Sequence, residues 1–277
     1  MNLALTLWWP KIFVGRANYE TSESIDKQLQ MARRPLVSVI IPAYNEAVGL
    51  GETLESLNKI RQTEYLNLEV IVAVNGSNDA TELVARRQAD KVFVLTERNA
   101  AEARNIGAHA AMGEILIFLD ADNQVGPNVI SQLVDLVKSD TVGTCSSYPS
   151  IVYLKSFVIS KLKNFVHALG LVRGANGLVF CHQDLFTKHG LEFDPKIKLG
   201  EFHDFIYRAR KKIGARYTYV KIRGGCRVSV DRYEKIGYFK NFLFWARFTC
   251  IVHLFGARCI FKHQADPTPF EREYWQN

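Results

Sequence analysis

Cysteine is scarce in this sequence, and the five cysteines among its 277 residues form no recognisable pattern. No two of them make a C-x-x-C pair and their number is odd, so neither a zinc site nor a disulfide framework is indicated. A reducing cytosol is the compartment that fits this usage best. The sequence also lacks internal repeats, low-complexity tracts and linkers rich in proline or serine, which argues against a second independent domain.

Long uninterrupted apolar runs are missing as well. The segment Met1–Pro10 is too short to span a bilayer, and it lacks the basic start and the small-residue cleavage site of a signal peptide. We therefore expect a packing segment or an interfacial anchor there. The stretch from Ile236 to Phe261 is interrupted by basic and imidazole side chains, which make it a poor spanning helix and a fair interfacial one.

The charge balance favours polyanionic partners, because the formal net charge is +7 and the pI is near 9.1. Nucleic acid, nucleotide phosphates and the anionic face of a membrane all meet that description. Since no recognisable nucleic-acid-binding motif is present, we expect no nucleic acid among the partners. With 48% hydrophobic and 23% charged residues, the chain has material for one sizeable core.

Short β-branched runs alternate with amphipathic stretches from Leu36 onward, as in a mostly parallel sheet covered by helices. The predicted strands are Val37–Ile41, Val70–Val74, Val92–Leu95 and Ile115–Leu119, and the predicted helices are Glu46–Ile60, Asp79–Ala89 and Ala101–Met112. These βα units predict an α/β fold with a nucleotide-binding type of half-domain.

Beyond Asp120 the alternation weakens. It indicates a helix over about 127–138, a strand near 142–147 and a long amphipathic segment over 150–171. We expect this second half to lie as an insertion over the open side of the sheet. The predicted organisation is an N-terminal extension over 1–34, one domain over 35–230 and a basic amphipathic helical segment over 231–277.

Polar residues follow all four predicted strands, at the edge where open α/β sheets bind their ligands. The four segments are Pro42–Glu46, Asn75–Asp79, Arg98–Asn99 and Asp120–Gln124. Any one of them alone could be ordinary turn chemistry. Their joint occurrence at four strand ends favours a ligand site.

Two carboxylates one residue apart, Asp120 and Asp122, are the sharpest of these signals. Oxygen ligands at a strand end indicate a hard cation, Mg²⁺ or Mn²⁺, which often bridges protein carboxylates to substrate phosphates. Gln124 offers a third, neutral oxygen. The alternative is that an aspartate here caps the following helix.

Four motifs together resemble family 2 glycosyltransferases of the GT-A fold over about residues 36–230. They are Val-Ser-Val-Ile-Ile-Pro-Ala-Tyr-Asn-Glu (37–46), Asn-Gly-Ser-Asn-Asp-Ala-Thr (75–81), Ala-Arg-Asn-Ile-Gly (103–107) and Phe-Leu-Asp-Ala-Asp (118–122). The resemblance implies a Rossmann-like, mixed but mostly parallel sheet with covering helices, to which we add C-terminal amphipathic helices. It also implies an enzyme that uses a nucleotide-diphosphate sugar as donor.

The same resemblance implies roles for single residues on the donor side. Pro42, Tyr44 and Glu46 match positions that line the pocket for base and ribose, and Arg104 matches one near the phosphates. The family usually writes Asp-Asp-Gly-Ser where this chain has Val74-Asn75-Gly76-Ser77, so Asn75 is retained as a donor-binding candidate. The missing carboxylate at Val74 leaves the identity of the base open.

On the metal side, Asp120 matches the first aspartate of the family's DxD motif and Asp122 matches the principal metal ligand. The metal neutralises the departing diphosphate. Gln124 fits the Asp-x-Asp-x-Gln version that polyprenyl-phosphate sugar synthases carry, which implies a polyprenyl-phosphate or lipid-linked acceptor.

The base that activates the acceptor is not given by the resemblance, because the family's Gly-Glu-Asp motif appears here as Gly200-Glu201-Phe202 and lacks the aspartate. On a helix, Glu201 and Asp204 are three residues apart and share a face. We favour Asp204 as base with Glu201 supporting it or exchanging roles, and His203 is a lesser candidate. Both acids could instead simply favour a helix N-terminus, and a phosphate acceptor would need no strong base.

Basic and aromatic residues are interleaved at helical spacing over 150–171 and 232–261, which is typical of helices that lie among lipid headgroups. A core helix with a solvated face is the alternative. The leading hypothesis is an inverting transferase that is cytoplasmic and peripheral on the inner face of the cell membrane, where it contacts an anionic surface and a membrane-associated acceptor. The alternatives are a transferase with a soluble saccharide or protein acceptor, and a catalytically silent nucleotide-sugar binder.

Overall fold

The computed structural model describes residues 35–64, 66–197, 199–241, 243–245 and 248. The predicted N-terminal extension, with its interfacial anchor Met1–Pro10, lies outside the described residues. So does most of the predicted C-terminal segment 231–277.

The first half alternates strands and helices as the sequence predicts. The elements are β1 (Val37–Ala43), α1 (Ala47–Glu64), β2 (Leu68–Asn75), α2 (Thr81–Gln88), β3 (Lys91–Leu95), α3 (Ala100–Ala110) and β4 (Ile115–Leu119). Every residue of β1, β2 and β4 is buried, which is why these strands appear in the sequence as continuous apolar runs instead of alternating ones.

The second half is less regular. Its elements are β5 (Gln124–Val125), α4 (Val129–Val134), β6 (Thr141–Cys145), β7 (Ser147–Pro149), α5 (Leu154–Ala168), β8 (Leu178–His182), α6 (Asp184–Thr187), α7 (Glu201–Arg208), β9 (Arg216–Val220), β10 (Cys226–Val228) and α8 (Asp231–Ile236). A five-residue π-helix, Ala209–Ile213, prolongs α7. The helix predicted over about 127–138 is therefore present but shorter than expected.

Seven strands form one sheet in the order β3-β2-β1-β4-β8-β6-β9, and a second sheet joins β5, β10 and β7. Strand β8 runs antiparallel to both of its neighbours, while the other pairs of the large sheet are parallel. The prediction that the second half covers the sheet as an insertion is therefore wrong for β8, β6 and β9. They extend the sheet beyond β4, because β4 is buried and needs a hydrogen-bonding partner on each side.

The sheet separates two apolar cores, and alternate residues of each strand serve one or the other. Val39 and Ile41 of β1 pack with helix α1, whereas Ile40 between them packs with α3 and α7. The second core is rich in phenylalanine, and Phe193 stacks on Phe205 of α7 with 4.4 Å between ring centroids. This aromatic packing fixes the start of α7 against the sheet.

A matched pair of helical glycines tests the packing of α3 on the sheet. A Cβ at Gly107 would lie 2.4 Å from Cγ2 of Ile40, whereas one at Gly51 in α1 would meet only Val84 at 3.8 Å. We expect Gly107→Ala to lower the free energy of unfolding by about 1–3 kcal/mol through overpacking. Gly51→Ala should raise it by about 0.5–1 kcal/mol through helix propensity. Urea denaturation measures both, and equal effects would contradict the packing described.

Candidate active site

The loops that follow β1 and β2 are tied together by hydrogen bonds. The backbone N–H of Asn45 donates to Ser77 Oγ at 3.1 Å, and the N–H of Asn78 donates to Asn45 Oδ1 at 2.9 Å. Asn45 has a positive φ of 50°, a conformation that asparagine tolerates better than most residues. The N–H of Glu46 donates to Thr81 Oγ1 at 2.9 Å. Two of the four predicted ligand loops therefore form one rigid rim.

The predicted donor-binding residues of this rim lie at different depths. Pro42 is buried, Tyr44 is half-buried under the guanidinium of Arg98, 4.1 Å from its ring centroid, and Glu46 is exposed. Asn75 at the end of β2 is only 2% exposed, and its Oδ1 has no hydrogen-bond partner among the described residues. Buried polar atoms are normally satisfied, so this oxygen suits an N–H or O–H donor of a ligand.

The Asp120–Asp122 turn follows β4 and is held from behind by α1. Thr53 Oγ1 donates to the carbonyl oxygens of Ala121 and Asn123, at 2.8 and 2.9 Å. The side chain of Asp120 is 47% exposed and Asp122 is also exposed. The backbone of the turn is thus rigid, while both carboxylates face outward.

Glu46 and Asp122 lie close to each other at the start of α1. A Cβ built on Gly49 would lie 3.3 Å from both Glu46 Oε2 and the Cα of Asp122. A side chain at this position would therefore separate the β1 rim from the Asp120–Asp122 turn. Glycine lets the two approach.

Arg104 joins the two halves of the site. Its Nη2 donates to Asp120 Oδ1 at 2.9 Å and its Nη1 donates to Glu201 Oε1 at 2.8 Å, while its own side chain is 4% exposed. A buried guanidinium needs such partners, because an unpaired buried charge is strongly destabilising. The sequence placed Arg104 near the donor phosphates, and the structure places it between two carboxylates.

The two acids of α7 have different partners. Glu201 reaches the polar cluster through Arg104 and its side chain is 17% exposed. Asp204 is 1% exposed and pairs with Arg208 one turn later, Nε to Oδ2 at 2.5 Å. Asp204 Oδ1 is buried and has no hydrogen-bond partner among the described residues. The shared helix face expected from sequence therefore does not bring both acids to the same neighbour.

Phe202 occupies the position where the resembling family writes its aspartate base. The ring is 8% exposed and lies under the guanidinium of Arg104, 4.2 Å from CZ to the ring centroid. It also packs edge to face on Phe193, with 5.5 Å between ring centroids. The ring thus supports the arginine from below by a cation–π contact.

His203, the lesser base candidate, is a packing residue. It is 6% exposed and stacks on Trp245 with 5.7 Å between ring centroids. A Cβ at Gly174 would lie 2.1 Å from His203 Nε2, so the histidine fills the space above that glycine. Burial lowers its pKa from 6.5 to about 4, and His203 is neutral near pH 7.

The donor atoms at the turn fit a hard divalent cation that takes part of its shell from elsewhere. Among the described residues there is no group of three or more His, Cys, Asp or Glu side chains that could hold a metal ion. Asp120 and Asp122 supply two carboxylates, and Mg²⁺ commonly completes its shell with waters and substrate phosphates. Gln124 points its amide nitrogen at Glu52 Oε2, 3.1 Å away, so any ligation by this residue has to come from Oε1.

A buried asparagine network behind the turn was missed at the level of sequence. Asn176 is fully buried, accepts a hydrogen bond from Ser147 Oγ at 2.7 Å and donates to Asn164 Oδ1 at 2.8 Å. The next residue, Gly177, accepts a hydrogen bond from Asn123 Nδ2 at 2.9 Å. No sequence signal links these residues, because each partner comes from a different element.

Comparison with known proteins agrees with the geometry. The sequence profile of glycosyl transferase family 2 matches residues 38–185, more than half of the chain. An uncharacterised glycosyltransferase of Rickettsia typhi is 31% identical over 193 residues, which are 63% of this chain and 58% of that protein. The chain thus spans little more than half the length of this relative. An undecaprenyl-phosphate 4-deoxy-4-formamido-L-arabinose transferase of Pseudomonas syringae is 36% identical over 124 residues, 40% of this chain and 36% of that protein.

Solved structures share the fold. A mannosyltransferase from Pyrobaculum calidifontis in complex with GDP-Man and Mn²⁺ superposes with a TM-score of 0.58 at 23% identity, covering 87% of this chain and 68% of its own. TarS of S. aureus in complex with UDP gives a TM-score of 0.53 at 20% identity, covering 74% and 62%. The mixed α/β architecture is the GT-A fold, as the sequence predicts.

The buried histidines predict how stability depends on pH. Burial lowers the pKa of His203 to about 4 and that of His167 to about 3, from 6.5. The unfolded chain therefore binds more protons between pH 6.5 and 4, so this contribution to stability is complete above pH 6.5 and declines as the pH falls. We expect the free energy of unfolding to drop by about 3–4 kcal/mol from pH 7 to pH 5, about 2 kcal/mol for each histidine.

Urea denaturation at the two pH values measures this drop, and His203→Asn provides the comparison. The variant should be less stable at pH 7 but should lose less stability on acidification. An identical drop in both proteins would show that His203 does not contribute to the pH dependence.

Proposed function

From the premise that this chain belongs to glycosyl transferase family 2, we propose that it is an inverting transferase that moves a sugar from a nucleotide-diphosphate donor to a membrane-associated acceptor. The observation that carries the proposal is the Arg104 bridge. It holds Asp120, on the expected metal and donor side, and Glu201, on the expected acceptor side, within one cluster of charges. A transferase has to bind its donor and its acceptor next to each other, and the Arg104 cluster lies between the two expected binding regions.

The donor is proposed to bind at the rim formed by the loops after β1 and β2. The half-buried ring of Tyr44 suits a nucleoside, as does Oδ1 of Asn75, which has no hydrogen-bond partner among the residues that the structure describes. Pro42 is buried at the end of β1, beside them in the proposed pocket. Glu46 adds an exposed carboxylate that can accept hydrogen bonds from hydroxyl groups. Support comes from two proteins of the same fold, the Pyrobaculum mannosyltransferase solved with GDP-Man and TarS solved with UDP.

Asp120 and Asp122 are proposed to hold Mn²⁺ or Mg²⁺, with Gln124 as an outer candidate. A bound divalent cation would neutralise charge that develops on the departing nucleoside diphosphate. Arg104 pairs with Asp120 and thereby keeps that carboxylate oriented. The complex of the Pyrobaculum mannosyltransferase with Mn²⁺ supports the choice of metal.

Glu201 is proposed as the base, with Asp204 as a positioning residue. An inverting transfer to a hydroxyl acceptor, such as that of a lipid-linked saccharide, needs a carboxylate that takes the proton of the attacking oxygen. Arg104 contacts only Oε1 of Glu201 among the hydrogen bonds described, so Oε2 can accept a proton. Asp204, which the sequence favoured, is deeply buried and committed to Arg208. Arg208 Nη2 also donates to the carbonyl oxygen of Glu192 at 2.7 Å, so the Asp204–Arg208 pair connects α7 to the segment before it and helps to hold Glu201 in position.

The acceptor is proposed to be a polyprenyl phosphate or a lipid-linked saccharide, used at the inner face of the cell membrane by a peripheral enzyme. One named relative, the undecaprenyl-phosphate transferase of Pseudomonas syringae, supports this choice. The replacement of the family's aspartate by Phe202 supports it as well, since an ionised phosphate acceptor needs little help from a base.

Donor turnover tests the proposed metal site. We expect release of nucleoside diphosphate from one member of a panel of UDP-, GDP- and dTDP-sugars in the presence of Mn²⁺ or Mg²⁺ and polyprenyl phosphate. Asp122→Asn should lower this release by roughly a hundredfold or more, because the cation loses a ligand. Asp135→Asn, an exposed aspartate after α4, is the matched control and should behave as wild type. Donor binding without turnover under every acceptor tried would favour a silent binder.

Paired substitutions in α7 test the assignment of the base. With a lipid-linked saccharide as acceptor, Glu201→Gln should lower kcat by about 10²- to 10⁴-fold because the proton acceptor is lost. With an already ionised polyprenyl phosphate as acceptor, the same substitution should lower kcat much less. Asp204→Asn should lower the free energy of unfolding by about 3 kcal/mol, since a buried ion pair is broken, and should keep kcat within about tenfold. Single-turnover kinetics on folded protein separate the two effects. The opposite pattern, with only Asp204→Asn inactive, would identify Asp204 as the base.

A further inference from the structure

Helix α5 is turned inside out relative to an ordinary surface helix. Its buried residues are polar: Ser156, Ser160 and His167. Most of its large apolar side chains face outward, with exposures of 81% for Leu154, 41% for Phe157, 54% for Val158, 38% for Leu162 and 60% for Phe165, and Leu169 directly after the helix is 56% exposed. The side chains of Ile159 and Val166 are half-buried. Surface helices normally show the reverse arrangement. An exposed apolar face of this extent marks an interaction site.

The inward polar side chains of α5 form hydrogen bonds with the rest of the protein, and these bonds fix the orientation of the helix. Ser160 Oγ donates to the carbonyl oxygen of Ser147 at 2.7 Å, and Asn164 Nδ2 donates to the same oxygen at 2.8 Å. His167 Nδ1 lies 3.2 Å from Tyr217 OH. Rotating α5 to bury its apolar side would leave these polar groups facing outward and break their hydrogen bonds.

Positive charge surrounds the apolar face. Between Asp140 and Asp184 the sequence contains no aspartate or glutamate, whereas α5 carries Lys155, Lys161 and Lys163. Lys161 lies 5.2 Å from the ring centroid of the outward-facing Phe157. Amphipathic helices with lysines beside exposed aromatics are typical of the headgroup region of anionic bilayers.

The same surface continues onto α8 and the residues that follow it. Lys155 Nζ lies 4.7 Å from the ring centroid of Tyr238, and Lys163 Nζ lies 3.3 Å from Tyr233 OH. Next to Tyr238, Phe239 is 72% exposed. The apolar and basic area therefore spans two neighbouring elements of the fold.

We propose that the outward face of α5, together with Phe239, is a membrane-docking surface whose occupant is the headgroup region of an anionic lipid bilayer. The absence of acidic residues between Asp140 and Asp184, the stretch that contains α5, argues for a uniformly negative partner over a protein surface of mixed charge. Helix α5 has 15 residues, or about 22 Å, which suits a helix lying in the interface. No helix among the described residues is long and apolar enough to cross a membrane.

Docking through α5 rests on the proposed function and deepens it, because hydrogen bonds connect α5 to the Asp120–Asp122 turn. Asn164 of α5 accepts a hydrogen bond from Asn176. The adjoining Gly177 accepts one from Asn123, next to Asp122. Membrane contact and the expected metal ligands thus belong to one hydrogen-bonded body, which would hold the site at a fixed height over lipid-borne acceptors.

Vesicle co-sedimentation of the full-length protein tests the docking surface without any nucleotide sugar, so its result is separate from that of the transfer assay. Wild type should bind vesicles rich in phosphatidylglycerol and bind vesicles of pure phosphatidylcholine more weakly. A triple variant, Phe157→Ser with Leu162→Ser and Phe165→Ser, should lose roughly tenfold or more of its partitioning. Lys155→Gln with Lys161→Gln should weaken the preference for anionic lipid.

The matched control replaces three apolar side chains of similar exposure elsewhere: Leu83→Ser, Val94→Ser and Met112→Ser. These residues are 52%, 51% and 67% exposed, and the control should bind as wild type. Phe165→Ser alone, at the most exposed aromatic of α5, serves if the triple variant does not fold.

Three results would overturn the proposal. The first is that wild type ignores every vesicle, and the second is that the α5 variants bind as well as wild type. The third is that light scattering in vesicle-free solution finds a wild-type dimer which the α5 variants dissociate, since a second copy would then cover this face.

Discussion

The guanidinium of Arg104 is the charge around which the rest of this structure is organised. It is buried, and a buried cation is stable only when paired, so Asp120 after β4 and Glu201 at the start of α7 are drawn to it. Phe202 supports it from below. A carboxylate from the first half of the chain and one from the second half thereby meet at the same guanidinium, although they are far apart in sequence. The proposed chemistry depends on that meeting.

Rigidity around this charge comes from two different kinds of packing. The phenylalanine-rich core holds α7 through rings such as Phe193 and Phe205. On the other side, the turn at Asp120 is held by hydrogen bonds from Thr53 and, through Asn123 and Gly177, by the network of Asn176. Apolar packing tolerates small shifts, whereas a satisfied buried polar network specifies one geometry. The carboxylates of the turn are exposed, but the backbone that carries them is held in one position by this network.

The replacement of the family's aspartate by Phe202 changes how α7 works. With the ring packed under Arg104, Glu201 and Asp204 are the two neighbouring acids left as candidates for the proposed base. Only Glu201 belongs to the Arg104 cluster, since Asp204 is consumed by Arg208. A carboxylate is therefore still present beside Arg104 although the family's aspartate is absent, which is why the proposed base is Glu201.

By itself the sequence determined the strands of the first half, the polar residues at their ends and the family. Continuous apolar runs and short motifs involve neighbouring residues, so they can be recognised directly in the amino-acid sequence. Only the tertiary structure decided that β8, β6 and β9 extend the sheet, that Glu201 and not Asp204 meets Arg104, and that α5 turns its polar side inward. Those outcomes depend on pairings between distant elements, which helical or strand periodicity cannot encode.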